Sequence, residues 1–147
     1  MFRKCTNVDK EDVWNIYVDA MQHHIEKIWG WDIGWQTREF KENFFKLNTS
    51  FILFEGIEAG YIQYQESADE IYVNMIVLKP EHRSSGLGMP TLNLLQSNHP
   101  GKILRLRCFK INEGALRFYQ KNSFRIIKEE DKFYLLELKA PFNKNAK

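Results

Sequence analysis

The chain has 147 residues, a formal net charge of +2, and 44% hydrophobic, 14% aromatic and 27% charged residues. That length fits one domain able to bury its own core, and the composition is globular, not disordered. The weak charge, with no dense basic stretch, argues against a nucleic-acid footprint, and no run nears the roughly 20 apolar residues of a membrane span.

Phe2 to Cys5 reads as a short strand. Asp9 is placed as a helix N-cap, with Glu11 and Asp12 in the first turn. Val13, Ile16, Tyr17, Ala20, His24 and Ile28 then recur at helical spacing and predict one buried face. The segment Trp29-Gly30-Trp31-Asp32-Ile33-Gly34-Trp35 breaks that periodicity. A second helix follows from about Asp32 or Thr37 to Leu47, with Gln36, Phe40, Phe44 and Leu47 on one side. Strands are predicted over Ser50–Glu55, Ala59–Glu66 and Glu70–Lys79, the first two joined by a turn at Gly56-Ile57-Glu58. A glycine loop leads into a helix from about Met89 to Asn98, where Pro90 is tolerable because a first-turn residue has no intrahelical N–H bond to lose. Ile103–Phe109 is a strand, Asn112–Asn122 a helix, and Phe124–Lys128 with Phe133–Leu138 a closing hairpin.

The order β-α-α-β-β-β-α-β-α-β-β predicts a mixed α/β sheet, mostly antiparallel, of about seven strands with helices on both faces. The unit from Glu70 to Phe109 supplies its parallel pair through a right-handed crossover. One domain spans 1–147, with a loose tail from about residue 140. The two cysteines, Cys5 and Cys108, show neither metal spacing nor a disulfide framework and read as small buried hydrophobes. No metal is expected. The charged start MFRKCTNVDKED lacks the apolar stretch of a signal peptide, so the expected location is the cytoplasm.

The chemistry concentrates after the third long strand. In Val77-Leu78-Lys79-Pro80-Glu81-His82-Arg83-Ser84-Ser85-Gly86-Leu87-Gly88, a strand passes through glycines into a helix. Glycines allow positive φ and close approach of a ligand, and the unpaired N–H groups of the next helix attract an anion. The Gly-Lys-Ser/Thr ending of a Walker loop is missing, and so is the third glycine of a dinucleotide fingerprint. Gly-x-Gly alone also suits a plain tight turn. Farther on, a helix running through Asn112 would place Asn112 and Tyr119 about 20° apart in azimuth and roughly 10 Å apart along the axis.

Arg83-x-x-Gly86-x-Gly88 between strand and helix, followed by Asn112-x-x-Ala115-x-x-Phe118-Tyr119-x-x-x-x-Phe124, resembles the two coenzyme segments of the GNAT N-acetyltransferase superfamily. Two departures stand out: Pro90 removes an amide donor from the helix start, and Ser123 replaces the usual glycine before the final Phe. The resemblance implies a GNAT fold in which a splayed parallel strand pair holds acetyl-CoA. The pyrophosphate would rest on Arg83, Ser84, Ser85, Gly86, Leu87 and Gly88. The pantetheine arm would lie along Ile76, Val77, Leu78 and Asn112. Tyr119 would be the general acid that protonates the departing thiolate.

On the acceptor side, the His-x-Glu-x-x-Trp-Gly-Trp-Asp run resembles a group of small bacterial GNAT proteins. By that resemblance the acceptor pocket lies between the first two helices, with His24 and Glu26 as candidates and Glu26 as general base or ammonium anchor. Trp29, Trp31 and Trp35 read as an apolar or cation-holding wall or as core packing. Tyr72 and Asn74 share one face of the long strand, where Asn74 could position a water but not act as base, and the identity of the base stays open. The helix periodicity disagrees about Glu26: in an unbroken helix it points about 140° away from the apolar stripe, and His24 lies on the stripe instead. The implied activity is direct acetyl transfer to a primary amine in a ternary complex, and a homodimer is compatible with it. The alternative is a non-catalytic acyl-CoA-binding or regulatory module on the same fold.

Overall fold

A computed structural model of the chain describes residues 1–83 and 86–140. Seven strands form one sheet: β1 (Phe2–Lys4), β2 (Asn48–Phe54), β3 (Ile57–Glu66), β4 (Glu70–Leu78), β5 (Ile103–Phe109), β6 (Arg125–Glu129) and β7 (Phe133–Leu138). Their spatial order is β1-β2-β3-β4-β5-β7-β6. Only β4 and β5 run parallel; the other neighbours are antiparallel. The four helices are α1 (Lys10–Ile28), α2 (Ile33–Lys46), α3 (Gly88–Asn98) and α4 (Glu113–Lys121).

Alternation along the strands divides the core between the two faces of the sheet. One face packs Ile62, Ile71, Val73, Leu104 and Leu106 against Leu92 and Leu95 of α3, with Ala115 and Tyr119 of α4 beside them. The other packs Phe51, Tyr61 and Val77 against Val13 and Ile16 of α1 and Phe40 and Phe44 of α2. Cys5 and Cys108 are buried free thiols, one in each layer.

Several local expectations shift. Asp9 precedes α1, but its carboxylate does not cap it. It turns back to accept from the Thr6 N–H at 2.8 Å and from Arg3, closing a short 3-10 turn (Asn7–Asp9). The β2–β3 turn is Glu55-Gly56, both at positive φ, one step earlier than expected, because Phe54 pairs directly with Ile57. Asn112 lies just outside α4 as its N-cap and accepts from the Ala115 N–H at 3.2 Å. Ser123, where glycine was the expected residue, takes φ 75°.

Two features of β4 position everything that follows. Its pairing with β5 runs from Glu70↔Ile103 to Val73↔Leu106 and then stops, although both strands continue. Beyond that point β5 pairs only with β7, and a gap opens between β4 and β5. Second, the register with β3 slips: Gln63 pairs with Met75 and Tyr64 with Val73, which leaves Asn74 as an extra residue in a β-bulge.

Candidate active site

The splayed strands open a cleft of two chambers. The outer one, about 380 Å³, lies between the strand ends, α1 and the glycine loop, and touches Arg83, Gly86, Leu87 and Gly88. The inner one, about 360 Å³, reaches down between α1, α2 and β5. Met21, Ile76, Asn112 and Tyr119 line both, so they stand where the two meet.

The outer chamber joins the glycine loop and the start of α3 to side chains that include Met21, His24, Leu92 and Phe118. Gly86 has φ 77°, the left-handed region that glycine enters without strain. Gly88 begins α3 against Phe118: a Cβ there would lie 2.7 Å from the ring. The Thr91 N–H donates to the Leu87 carbonyl at 3.1 Å, so the N–H groups of Gly88 and Met89 precede the intrahelical ladder. Pro90 contributes no N–H to this helix start. Arg83 does not point across the loop. Its Nε donates to the Leu78 carbonyl at 3.0 Å and its guanidinium pairs with Asp19 of α1 at 3.1 Å. Ser84 and Ser85, expected in the same loop, lie outside the described residues.

The three strand residues expected on the cofactor face in different directions. The Val77 carbonyl is turned to β3, so close to Gly60 that a Cβ on Gly60 would fall 2.0 Å from it. Alternation sends the peptide groups of Ile76 and Leu78 the opposite way, into the gap. The bond from Arg83 already occupies the Leu78 carbonyl. Val77 touches the outer chamber, but its side chain belongs to the core under α1 and α2.

Tyr119 sits half-buried beside Phe118 and Phe124, the latter edge-on at 5.2 Å. Burial pushes its phenol well above the usual range, with Cys108 adding to the effect, so the hydroxyl keeps its proton at neutral pH. The Cys108 thiol, also on the inner chamber, is pushed up to about 11 by burial. It is no thiolate at physiological pH.

The acceptor-side residues divide. His24 lines the outer chamber, stacked on Phe109 at 6.3 Å; burial, His23 and Lys27 hold its imidazole below the ordinary value of 6.5. Trp29, 59% exposed, packs on Phe109 and Phe133 at the edge of the inner chamber. Tyr72 and Asn74 line that chamber too. Glu26 does not reach the cleft. α1 continues unbroken through residue 28, which turns Glu26 to an outer surface where it accepts from Gln22 at 3.0 Å. Trp31 is likewise away from the chambers, packed on Trp14 and Tyr17 at 6.4 and 6.1 Å.

Trp35, expected in the aromatic wall with Trp29 and Trp31, does line the inner chamber, and among the residues not expected there are Tyr17, Gln36 and Arg107. Gln36 is buried at the floor and its Oε1 accepts from the Tyr17 hydroxyl at 2.7 Å. Burial and the nearby Glu39 push that phenol up to about 12. Trp35, half-exposed at the start of α2, forms wall. Arg107 is clamped by Glu130 at 2.7 Å and donates to the Tyr72 hydroxyl at 3.0 Å. The alternating basic residues of β5 are the available signal for it. No group of three or more metal-ligating side chains occurs among the described residues, and no described helix is long and apolar enough to cross a membrane.

Among solved structures, the PaiA N-acetyltransferase of Thermoplasma acidophilum in complex with coenzyme A matches at 16% identity and TM-score 0.73, covering 95% of this chain and 98% of that one. A GNAT-family acetyltransferase from Listeria monocytogenes matches at 16% identity and TM-score 0.67, with 95% and 94% covered. An acetyltransferase from Thermus thermophilus matches at 14% identity and TM-score 0.74, with 95% and 96% covered. The fold is the GNAT fold. No family model matches the sequence, and no curated protein matches it. At these identities the likeness concerns architecture, and the residues of this chain must carry the chemistry.

Proposed function

We propose that the protein is an acetyl-CoA-dependent N-acetyltransferase acting on a primary amine by direct attack. The supporting observation is the position of Tyr119, a phenol that keeps its proton, at the junction of the glycine-loop chamber and the aromatic one. The outer chamber suits the donor. Its glycine loop and the start of α3 offer N–H groups to a pyrophosphate, and the peptide groups of Ile76 in the gap match the amides of a pantetheine arm. The Asn112 Oδ1 caps α4, so its NH₂ is the group left for the same arm. The inner chamber then receives the amine.

Attack of the amine nitrogen on the thioester carbon forms the new C–N bond and a tetrahedral oxyanion, which a β4 main-chain N–H can stabilise. Collapse breaks the C–S bond, and the thiolate takes the Tyr119 proton. The attacking nitrogen must also shed a proton. His24 is the side chain in the cleft held neutral near pH 7, and it fills this role directly or through water. A covalent acetyl-cysteine route is disfavoured by the protonated Cys108 thiol.

Calorimetry with acetyl-CoA, ATP and NAD tests the cofactor; binding of ATP or NAD in preference to acetyl-CoA would sink the reading. Tyr119→Phe should lower kcat about 10²- to 10³-fold while acetyl-CoA affinity holds. Unchanged turnover would remove Tyr119 as the acid.

A further inference from the structure

We infer that the inner chamber accepts an amine carried on an aromatic or otherwise uncharged apolar body, and that the Asn74 side-chain oxygen receives one N–H of that amine. This inference rests on the acetyltransferase reading above and names its acceptor class.

The first observation is an unmet acceptor. Asn74 Oδ1 is buried without a hydrogen-bond partner, and a buried acceptor left unmet is destabilising. The bulge explains why the residue is there. Because β4 carries one extra residue, Asn74 and Met75 both face the α1–α2 side, and Asn74 lines the inner chamber together with Gln36. Gln36 has its oxygen occupied by Tyr17, so it offers the chamber donors. Asn74 carries the acceptor, and because that oxygen is closed to solvent as it stands, its use requires a turn about the broad χ2 torsion toward the chamber. A neutral amine has two N–H groups and a lone pair. Donating one N–H to Asn74 anchors the nitrogen and leaves the lone pair for attack.

The second observation is the character of the walls. Trp29, Trp35, Phe109 and Phe133 supply aromatic surface, and no carboxylate lines the inner chamber among the described residues. Its one cation among those residues, Arg107, is already spent on Glu130 and Tyr72. A second ammonium on the acceptor would find no counter-charge, and a carboxylate would find a guanidinium with its donors engaged. Either group would have to be desolvated without compensation. An apolar body meets no such cost and gains buried area. The competing occupant is a longer diamine that passes Tyr17 and Gln36 to reach Glu39, which lines an adjoining cavity.

The test measures CoA release by the full chain with 2-phenylethylamine, 1,4-diaminobutane, phenylalanine and a short peptide with a free N-terminus. We expect kcat/KM for 2-phenylethylamine at least tenfold above the other three. Asn74→Ala should reduce it about tenfold with the acetyl-CoA Kd unchanged. Trp29→Ala, at an exposed position that does not endanger folding, should raise KM for 2-phenylethylamine several-fold. Calorimetry of 2-phenylethylamine on the CoA-loaded protein reads binding without turnover. Preference for the diamine, the amino acid or the peptide overturns the inference, as does absent binding of 2-phenylethylamine or an Asn74→Ala variant equal to the parent chain. If acetyl-CoA itself fails to bind, both readings fall; if it binds and the diamine is acetylated preferentially, only this one does.

Discussion

The outer and inner chambers share one cleft but are made of different material. The outer has glycines, strand peptide groups and a helix start beside side chains such as Met21, His24 and Phe118. The inner is mostly aromatic rings and side-chain amides from α1, α2, β4, β5, α4 and β7 or the residues flanking them. A surface of peptide groups depends on backbone course, so strand placement and glycine decide it. A surface of side chains depends on which residues neighbouring elements happen to aim inward, so helix phase and strand register decide it.

The sharpest way to break the first kind is at Gly60. Alanine there would push a Cβ into the Val77 carbonyl and force β3 from β4 beside the gap. We expect about 3 kcal/mol lost in denaturant titration, together with weaker acetyl-CoA binding. A loss below about 1 kcal/mol would show that the strands yield freely. The next contrast separates the tryptophans. Trp31→Ala should cost about 2 kcal/mol of stability and leave the acceptor KM unchanged, since Trp31 packs on Trp14 and Tyr17. Trp29→Ala should do the reverse, with thermal unfolding and kinetics on both variants as the check.

A smaller effect should appear in the pH profile. His24 is held below 6.5, so its neutral form prevails above that pH and is lost as pH falls through the folded value. As a base it would give kcat/KM an acid limb below pH 6.5, superimposed on the deprotonation of the amine itself. His24→Gln should erase that limb and keep the amine's; a profile of unchanged shape would exclude His24. The smallest expected signal is at Cys108. With its thiol pushed up to about 11, alkylation by iodoacetamide at about pH 8 should be far slower than for a free thiol, and a fast reaction would contradict the burial.

The same division explains what the sequence disclosed. The strand limits of β5 and β7, the element order and the parallel unit were legible because periodicity and turn residues are local. The glycine loop was legible as a candidate because a turn at positive φ favours glycine; Asn112 and Tyr119 became candidates through the resemblance of the run from Asn112 to Phe124 to a known coenzyme segment. Glu26 was recoverable from helix phase alone: an unbroken α1 places it outside, as the rotation of about 100° per residue requires. The bulge at Asn74 was not legible. It is a relation between two strands, and nothing within Glu70–Leu78 states that Tyr64 will pair with Val73 while Gln63 pairs with Met75. Trp29, Trp31 and Trp35 lie within seven residues, and only the docking of α2 on α1 separates wall from packing.

The gap between β4 and β5 has a further consequence. Peptide groups have no codon of their own: every residue but proline supplies the same N–H and carbonyl. A cleft edged by them tolerates drift at nearly every position, provided the strands still part at the same place. Chains that share 14 to 19% of their residues can therefore keep one fold, while the side chains of the inner chamber stay free to differ.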